Sequence, residues 1–113
     1  MLPARYRLTK DQDFKKINAL GRAFFSTYFR VKYLANKLSY SRLAVVVSTK
    51  VSKKSTKRNR LKRQLREIIR LNRQKIKAGY DVVVSPSSRA LTANYQVLEK
   101  NLLDLFTKAK LLK

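Results

Sequence analysis

The chain has no cysteine and no histidine. Their absence excludes disulfides, thiolate nucleophiles, zinc sites of the usual ligand types and imidazole acid or base catalysis. Acids are scarce too. Six Asp plus Glu stand against 28 Lys plus Arg, and six scattered carboxylates are a poor stock for a two-metal phosphodiesterase. No apolar run approaches the length of a membrane span. The opening residues, Met1-Leu2-Pro3-Ala4-Arg5, lack the hydrophobic core of a signal peptide, so a cytoplasmic location is expected. Nothing in this inventory nominates a catalytic residue or a metal ligand in the polypeptide itself.

The 113 residues suit one domain, 1–113, and 44% hydrophobic residues with 10% aromatics are enough for a small core. The formal net charge of +22 and a pI near 11.0 go far beyond what solubility requires and point to nucleic acid as the partner. Disorder is the usual alternative for so charged a chain. Here, however, Leu, Val, Ile, Phe and Tyr recur in periodic blocks, as a folded domain requires.

Charge and periodicity coincide in one segment. From Lys50 to Arg73 there are eleven Lys or Arg and a single acid, Glu67. Wound at 100° per residue, Leu61, Leu65, Ile68, Ile69 and Ile76 share one arc. Lys62, Arg73, Arg66, Asn59, Arg70 and Arg63 share the adjoining one. A solvated helix face normally mixes signs so that i,i+4 pairs offset repulsion, whereas this arc gathers five cations without an acid. A polyanion supplies the missing compensation. Candidate RNA-binding residues are therefore Lys50, Lys53, Lys54 and Lys57 in the approach to the helix, and Arg58, Asn59, Arg60, Lys62, Arg63, Arg66 and Arg70 along it.

The remaining elements follow from local pattern. Thr9 with Gln12 reads as a capping box, followed by an apolar side of Phe14, Ile17 and Leu20 and a stop at Gly21. Tyr28 to Leu34 alternates as a strand, with Phe29, Val31 and Tyr33 on one face. After the turn-like Ala35-Asn36-Lys37, a second strand covers Arg42 to Ser48. Thr49 to Lys57 reads as a basic loop and Arg58 to Lys77 as the helix. Gly79 ends that helix, Asp81 to Ser85 is a short buried strand, and Pro86-Ser87-Ser88 breaks the chain. A core helix then carries Leu91, Tyr95, Leu98, Leu102, Leu105 and Ala109. With a possible further strand at Arg22 to Ser26, this order suggests an α+β fold, a small two-layer αβ sandwich with helices covering one sheet face. The open face presents Arg30, Lys32, Ala44, Val46 and Ser48 beside the first helix. Edged by Phe14, it forms a shallow basic groove suited to an extended single strand.

These residues together resemble the protein subunit of bacterial ribonuclease P. That family shows a hydrophobic strand ending in Val-Ser-Lys-Lys, a basic loop, and an Arg-Asn-Arg helix start followed by Lys-Arg and another Arg one turn later. Val47-Ser48-Thr49-Lys50 and Arg58-Asn59-Arg60-Leu61-Lys62-Arg63-Gln64-Leu65-Arg66 correspond to it here. Arg7-Leu8 through Asp13-Phe14 and Gly21 resemble the family opening, and Tyr80-Asp81-Val82-Val83-Val84 its later strand. Three positions depart from the pattern: Thr49 replaces the first lysine of the pair, and Asn18 and Lys32 stand where the family often carries aromatics. The resemblance implies a left-handed βαβ crossover through the Arg-Asn-Arg helix, although right-handed crossovers are the rule. It also implies a catalytic RNA partner, Mg²⁺ held mainly by that RNA, and endonucleolytic removal of the 5′ leader of precursor tRNA. On this reading the basic helix neutralises phosphates of the catalytic RNA, Asn59 fixes a loop or RNA edge by hydrogen bonding, and Phe14, Arg30, Lys32, Val46, Ser48 and Lys50 hold the leader.

Four other classes compete, of which a stand-alone nuclease needs a metal-ligand cluster that the sequence lacks. A ribosomal RNA-binding protein shares the size, charge and lack of cysteine. A DNA-binding regulator needs a recognition helix and a two-fold half-site arrangement. Neither a dimer heptad nor a clear helix-turn-helix is present, and DNA is not an expected partner. A basic segment on an anionic membrane needs a bulky aromatic counterface, which Lys62, Arg63 and Arg66 lack.

Overall fold

Alternation of apolar and polar residues builds the sheet, and the side chains it turns inward choose which helices cover it. The computed structural model describes residues 3–113; Met1 and Leu2, part of the N-terminal reading above, lie outside the described residues. Four strands, β1 (Arg22–Phe25), β2 (Phe29–Ala35), β3 (Arg42–Val45) and β4 (Tyr80–Pro86), pair in the order β1-β2-β4-β3. β1 and β4 each run antiparallel to β2, whereas β3 runs parallel to β4. The helices are α1 (Asp11–Leu20), α2 (Ser55–Asn72) and α3 (Tyr95–Lys108). The parallel pair β3 and β4 is joined through α2, which is the crossover of the family expectation.

On one sheet face Phe29, Val31, Tyr33, Leu43, Val82 and Val84 are buried. Leu61, Leu65, Ile68 and Ile69 of α2 and Leu98, Leu102, Leu105 and Phe106 of α3 complete that core. Fully burying each of these side chains contributes roughly 1.5–3 kcal/mol. α1 lies on the opposite face and buries Ile17 alone. The mixed α+β architecture expected from the sequence is the one observed, including the edge strand β1.

Several boundaries differ. α1 is N-capped by Lys10, with no side-chain cap bond, so the Thr9–Gln12 capping box does not form. Leu20, expected on the apolar side, is 68% exposed. α1 does stop at Gly21, its C-cap, but space rather than backbone conformation requires the glycine there. Its φ is an ordinary −74°, but a Cβ there would sit 2.5 Å from the Ile17 carbonyl oxygen and 2.8 Å from that of Tyr33. β3 ends at Val45 rather than Ser48, although the Val46 amide still donates to the Val84 carbonyl at 3.0 Å. α2 begins one turn earlier than expected, at Ser55, and ends at Asn72. A 3-10 turn at Arg73–Lys75 follows it. Gly79 stands in the turn entering β4 with φ +92°, where a side chain is strained. α3 starts only at Tyr95, capped by Asn94, whose Oδ1 accepts from the Val97 amide at 2.9 Å. Leu91 belongs to the preceding 3-10 turn.

Candidate nucleic-acid interface

α2 carries the cations on the side its apolar stripe leaves free. Leu61, Leu65, Ile68 and Ile69 are buried, which leaves Arg60, Arg63 and Arg66 exposed and Lys62 half-buried. Lys50, Lys53, Lys54 and Lys57 are exposed around the approach to the helix, and so is Asn59. Two expected phosphate ligands are otherwise engaged. Arg58 donates through Nη1 to the Ser52 carbonyl at 2.8 Å, so it fixes the loop before the helix, a task the sequence reading gave in part to Asn59. Arg70 makes a two-pronged ion pair with Glu67, one prong of it Nε to Oε2 at 3.0 Å. The arc is therefore not free of acid. Glu67 lies on a neighbouring arc of the wheel, but at i,i+3 its side chain reaches across. Hydrogen bonding to Arg70 holds the Glu67 carboxyl below its ordinary pKa and raises that of Arg70.

Beside this helix is a cleft of about 240 Å³, lined by Phe14 of α1, Ala44 and Val46 from the β3 segment, and Arg66 with Ile69 of α2. Its rim is the N-terminal segment. Arg7 bridges to Leu43 and the Leu8 amide donates to the Leu43 carbonyl at 2.9 Å, so this segment covers the outer edge of β3. Leu8 is buried, an anchor the sequence signalled only as a lone apolar residue among Arg7, Thr9 and Lys10. Of the expected groove residues, Phe14 and Val46 thus meet in one cleft, and Arg66 joins them from the phosphate-binding set.

Arg30, Lys32 and Ser48 stand outside the cleft's lining. Lys32 aligns with Val83 and Val83 with Ala44, so Lys32 lies two strand spacings from the cleft floor, roughly 10 Å. Arg30 aligns with Ser85 and holds its guanidinium 5.8 Å from the Phe25 ring centroid. Ser48 is exposed beyond the end of β3. These residues extend the polar face around the cleft without forming its wall.

A polar network that the sequence reading missed fixes α1 to the sheet. Arg42 donates Nε to Asp81 Oδ1 at 2.9 Å and Nη2 to Asp81 Oδ2 at 2.7 Å, and its Nη1 lies 3.4 Å from Asp13 Oδ2 on α1. Asn36 adds a donor to Asp81 at 2.8 Å. Hydrogen bonding to Asp81 raises the Arg42 pKa further above its already basic value. Asp13 and Asp81 are tied to one arginine, Glu67 pairs with Arg70, and Glu99 accepts from Asn72. Among the described residues, no three acidic side chains gather as metal ligands.

The sequence profile described as Ribonuclease P matches residues 2–110. The chain belongs to the ribonuclease P protein family. It is 42% identical to the ribonuclease P protein component of a Pseudanabaena species, over 99% of this chain and 97% of that one. It is 39% identical to that of Clostridioides difficile, over 87% and 86%. Among solved structures, the ribonuclease P protein from Thermotoga maritima superposes with a TM-score of 0.83 at 36% identity, covering 90% of this chain and 96% of that one. The Staphylococcus aureus protein gives 0.87 at 27%, covering 96% and 98%. Family membership favours ribonuclease P over the ribosomal alternative. Two departures from the family pattern turn out to be partners. Lys32 Nζ donates to Asn18 Oδ1 at 3.1 Å, so α1 and β2 meet here through a polar contact. Among the described residues, no helix is long and apolar enough to cross a membrane.

Proposed function

We propose that the chain acts as the protein subunit of a ribonuclease P ribonucleoprotein, binding the catalytic RNA along α2 and the single-stranded 5′ leader of precursor tRNA in the adjoining cleft. One observation carries the reading: Arg66 lines the same cleft as Phe14 and Val46, so the cationic helix face runs directly into the groove. RNA docked on Arg60, Lys62 and Arg63 would therefore lie beside the strand held over Ala44 and Val46. Affinity comes first from phosphate neutralisation, and the ring of Phe14 offers the leader a stacking surface. Holding the leader places the bond at its end against the catalytic RNA, which raises effective concentration without a catalytic group from the protein.

Hydrolysis belongs, in this proposal, to the RNA and its Mg²⁺. The protein's own side chains bind, orient and neutralise. Such a complex works where the RNA does, which suits a cytoplasmic location. Replacing Val46, 42% exposed, by Glu puts a negative charge on the cleft floor without disturbing the core. Holoenzyme carrying Val46→Glu should lose about tenfold or more in affinity for precursor tRNA, the scale of one lost base or phosphate contact, and keep its affinity for mature tRNA. Equal affinities of wild type and variant for the precursor would contradict the leader assignment.

A further inference from the structure

A second pocket, about 200 Å³, lies on the other side of the N-terminal segment, with Leu43 lining both it and the cleft. Its walls include Tyr6, Tyr40 and Arg73, with Lys113 at the rim and no acidic side chain among the lining residues. The Tyr6 and Tyr40 rings meet edge to face at 5.5 Å and 85°. The Arg73 guanidinium lies 4.2 Å from the Tyr6 ring centroid, and the Arg5 guanidinium lies 4.8 Å from the same centroid. Arg5 Nη2 also donates to the Tyr6 hydroxyl at 2.7 Å.

Two guanidiniums, 4.8 and 4.2 Å from one ring centroid, repel each other, and cation–π attraction of about 0.5–1 kcal/mol at exposed sites offsets little of that. An anion bound beside them offsets the repulsion. The pocket also presents flat groups, the Tyr40 ring and the Arg73 guanidinium placed over Tyr6, of the kind on which unpaired bases lie. Position adds a third argument. Arg73 follows Arg66 by seven residues, close to two turns of 3.6, so it continues the row Lys62–Arg66 past the end of α2.

We infer that the Tyr6–Tyr40–Arg73 pocket is a nucleotide-binding site that takes one unpaired base together with its phosphate, extending the RNA track beyond the cleft. This rests on the RNA-binding reading of α2 and adds to it a contact selective for unpaired nucleotides. The nucleotide can come from the catalytic RNA or from the precursor's leader, and the test separates the two.

A five-nucleotide oligoadenylate containing 2-aminopurine serves as the probe, because stacking quenches its emission. The intact chain should quench it. A folded Tyr6→Leu/Tyr40→Leu variant should lose the quenching and about tenfold in affinity, while Tyr6→Phe/Tyr40→Phe should retain both. Arg73→Gln, a partly exposed substitution that tests the site even if the leucine pair fails to fold, should lower the salt slope of binding by about one. The leucine pair and Arg73→Gln are then assayed twice, against catalytic RNA alone and against leader-bearing precursor tRNA in the holoenzyme. A loss in the first assigns the nucleotide to the catalytic RNA, and a loss confined to the second assigns it to the leader. Unchanged quenching, affinity and slope in folded variants would overturn the inference. Arg63→Ala/Arg66→Ala is the reference: if it weakens RNA binding while the pocket variants do not, the pocket assignment fails and the α2 reading stands.

Discussion

α1 and α2 form opposite walls of one cleft, yet different forces hold them in place. α2 buries Leu61, Leu65, Ile68, Ile69 and Asn72, so its cations project from an element that is part of the core. α1 buries Ile17 alone. It is otherwise tied down by Asp13 reaching Arg42 and by Asn18 accepting from Lys32. A wall anchored by apolar packing keeps its charges in register whatever the salt concentration. A wall anchored by polar contacts can shift to fit what enters. In the proposed function the wall held by apolar packing meets the structured RNA, and the wall held by polar contacts meets the variable single strand.

The largest expected effect comes from cutting the polar anchor. Arg42→Ala leaves Asp13 unpaired and strips Asp81, whose side chain is 9% exposed, of its bidentate partner. It should cost about 3 kcal/mol, read as a lower urea midpoint. Native-state hydrogen exchange should speed up in α1 more than in α2; equal acceleration in both would break the comparison. Next is the rigid wall itself. Arg63→Ala/Arg66→Ala should lower the slope of log affinity against log salt by about two while circular dichroism stays unchanged. An unchanged slope in the folded double variant would remove α2 from the interface.

Smaller effects sharpen the boundary of the cleft. Because Arg30 and Lys32 stand two strands away from its floor, Arg30→Ala/Lys32→Ala should weaken precursor binding less than Val46→Glu does, with mature tRNA unaffected. The reverse order would move the leader onto β2. The smallest change concerns Glu67. Its folded pKa is depressed by the hydrogen bond from Arg70, so its contribution to stability is present above the ordinary value of 4.5 and is lost as pH falls through the lowered one. The thermal midpoints of wild type and Glu67→Gln should therefore converge in acid. At neutral pH the variant frees Arg70 and should bind RNA slightly more tightly. A weaker-binding variant would mean that the ion pair positions Arg70 for RNA.

Periodic features of the molecule were legible in the sequence. Alternation in β2 and the 100° stripe of α2 named the core, because burial on a regular element repeats at a fixed interval. What escaped was long-range polar pairing. Arg42 and Asp81 are 39 positions apart, and no local pattern marks them as partners. Leu20 was misplaced because helical spacing alone cannot say where the covering element ends. The groove was half legible for the same reason: strand alternation put Arg30 and Lys32 on the right face, but the β4 strand that separates them from Val46 enters only through the sheet order.

In the proposed function this protein binds both the catalytic RNA and the leader, and the RNA carries out the cleavage. One labelled precursor tRNA should be incubated at low Mg²⁺ with the catalytic RNA alone, the protein alone, and both together. The expected result is no cleavage by the protein, weak cleavage by the RNA, and strongly increased cleavage at the 5′ boundary by the mixture, because neutralised phosphates and a held leader replace part of what high Mg²⁺ does. Robust cleavage by RNA-free protein, or no stimulation by folded, RNA-bound protein, would contradict it.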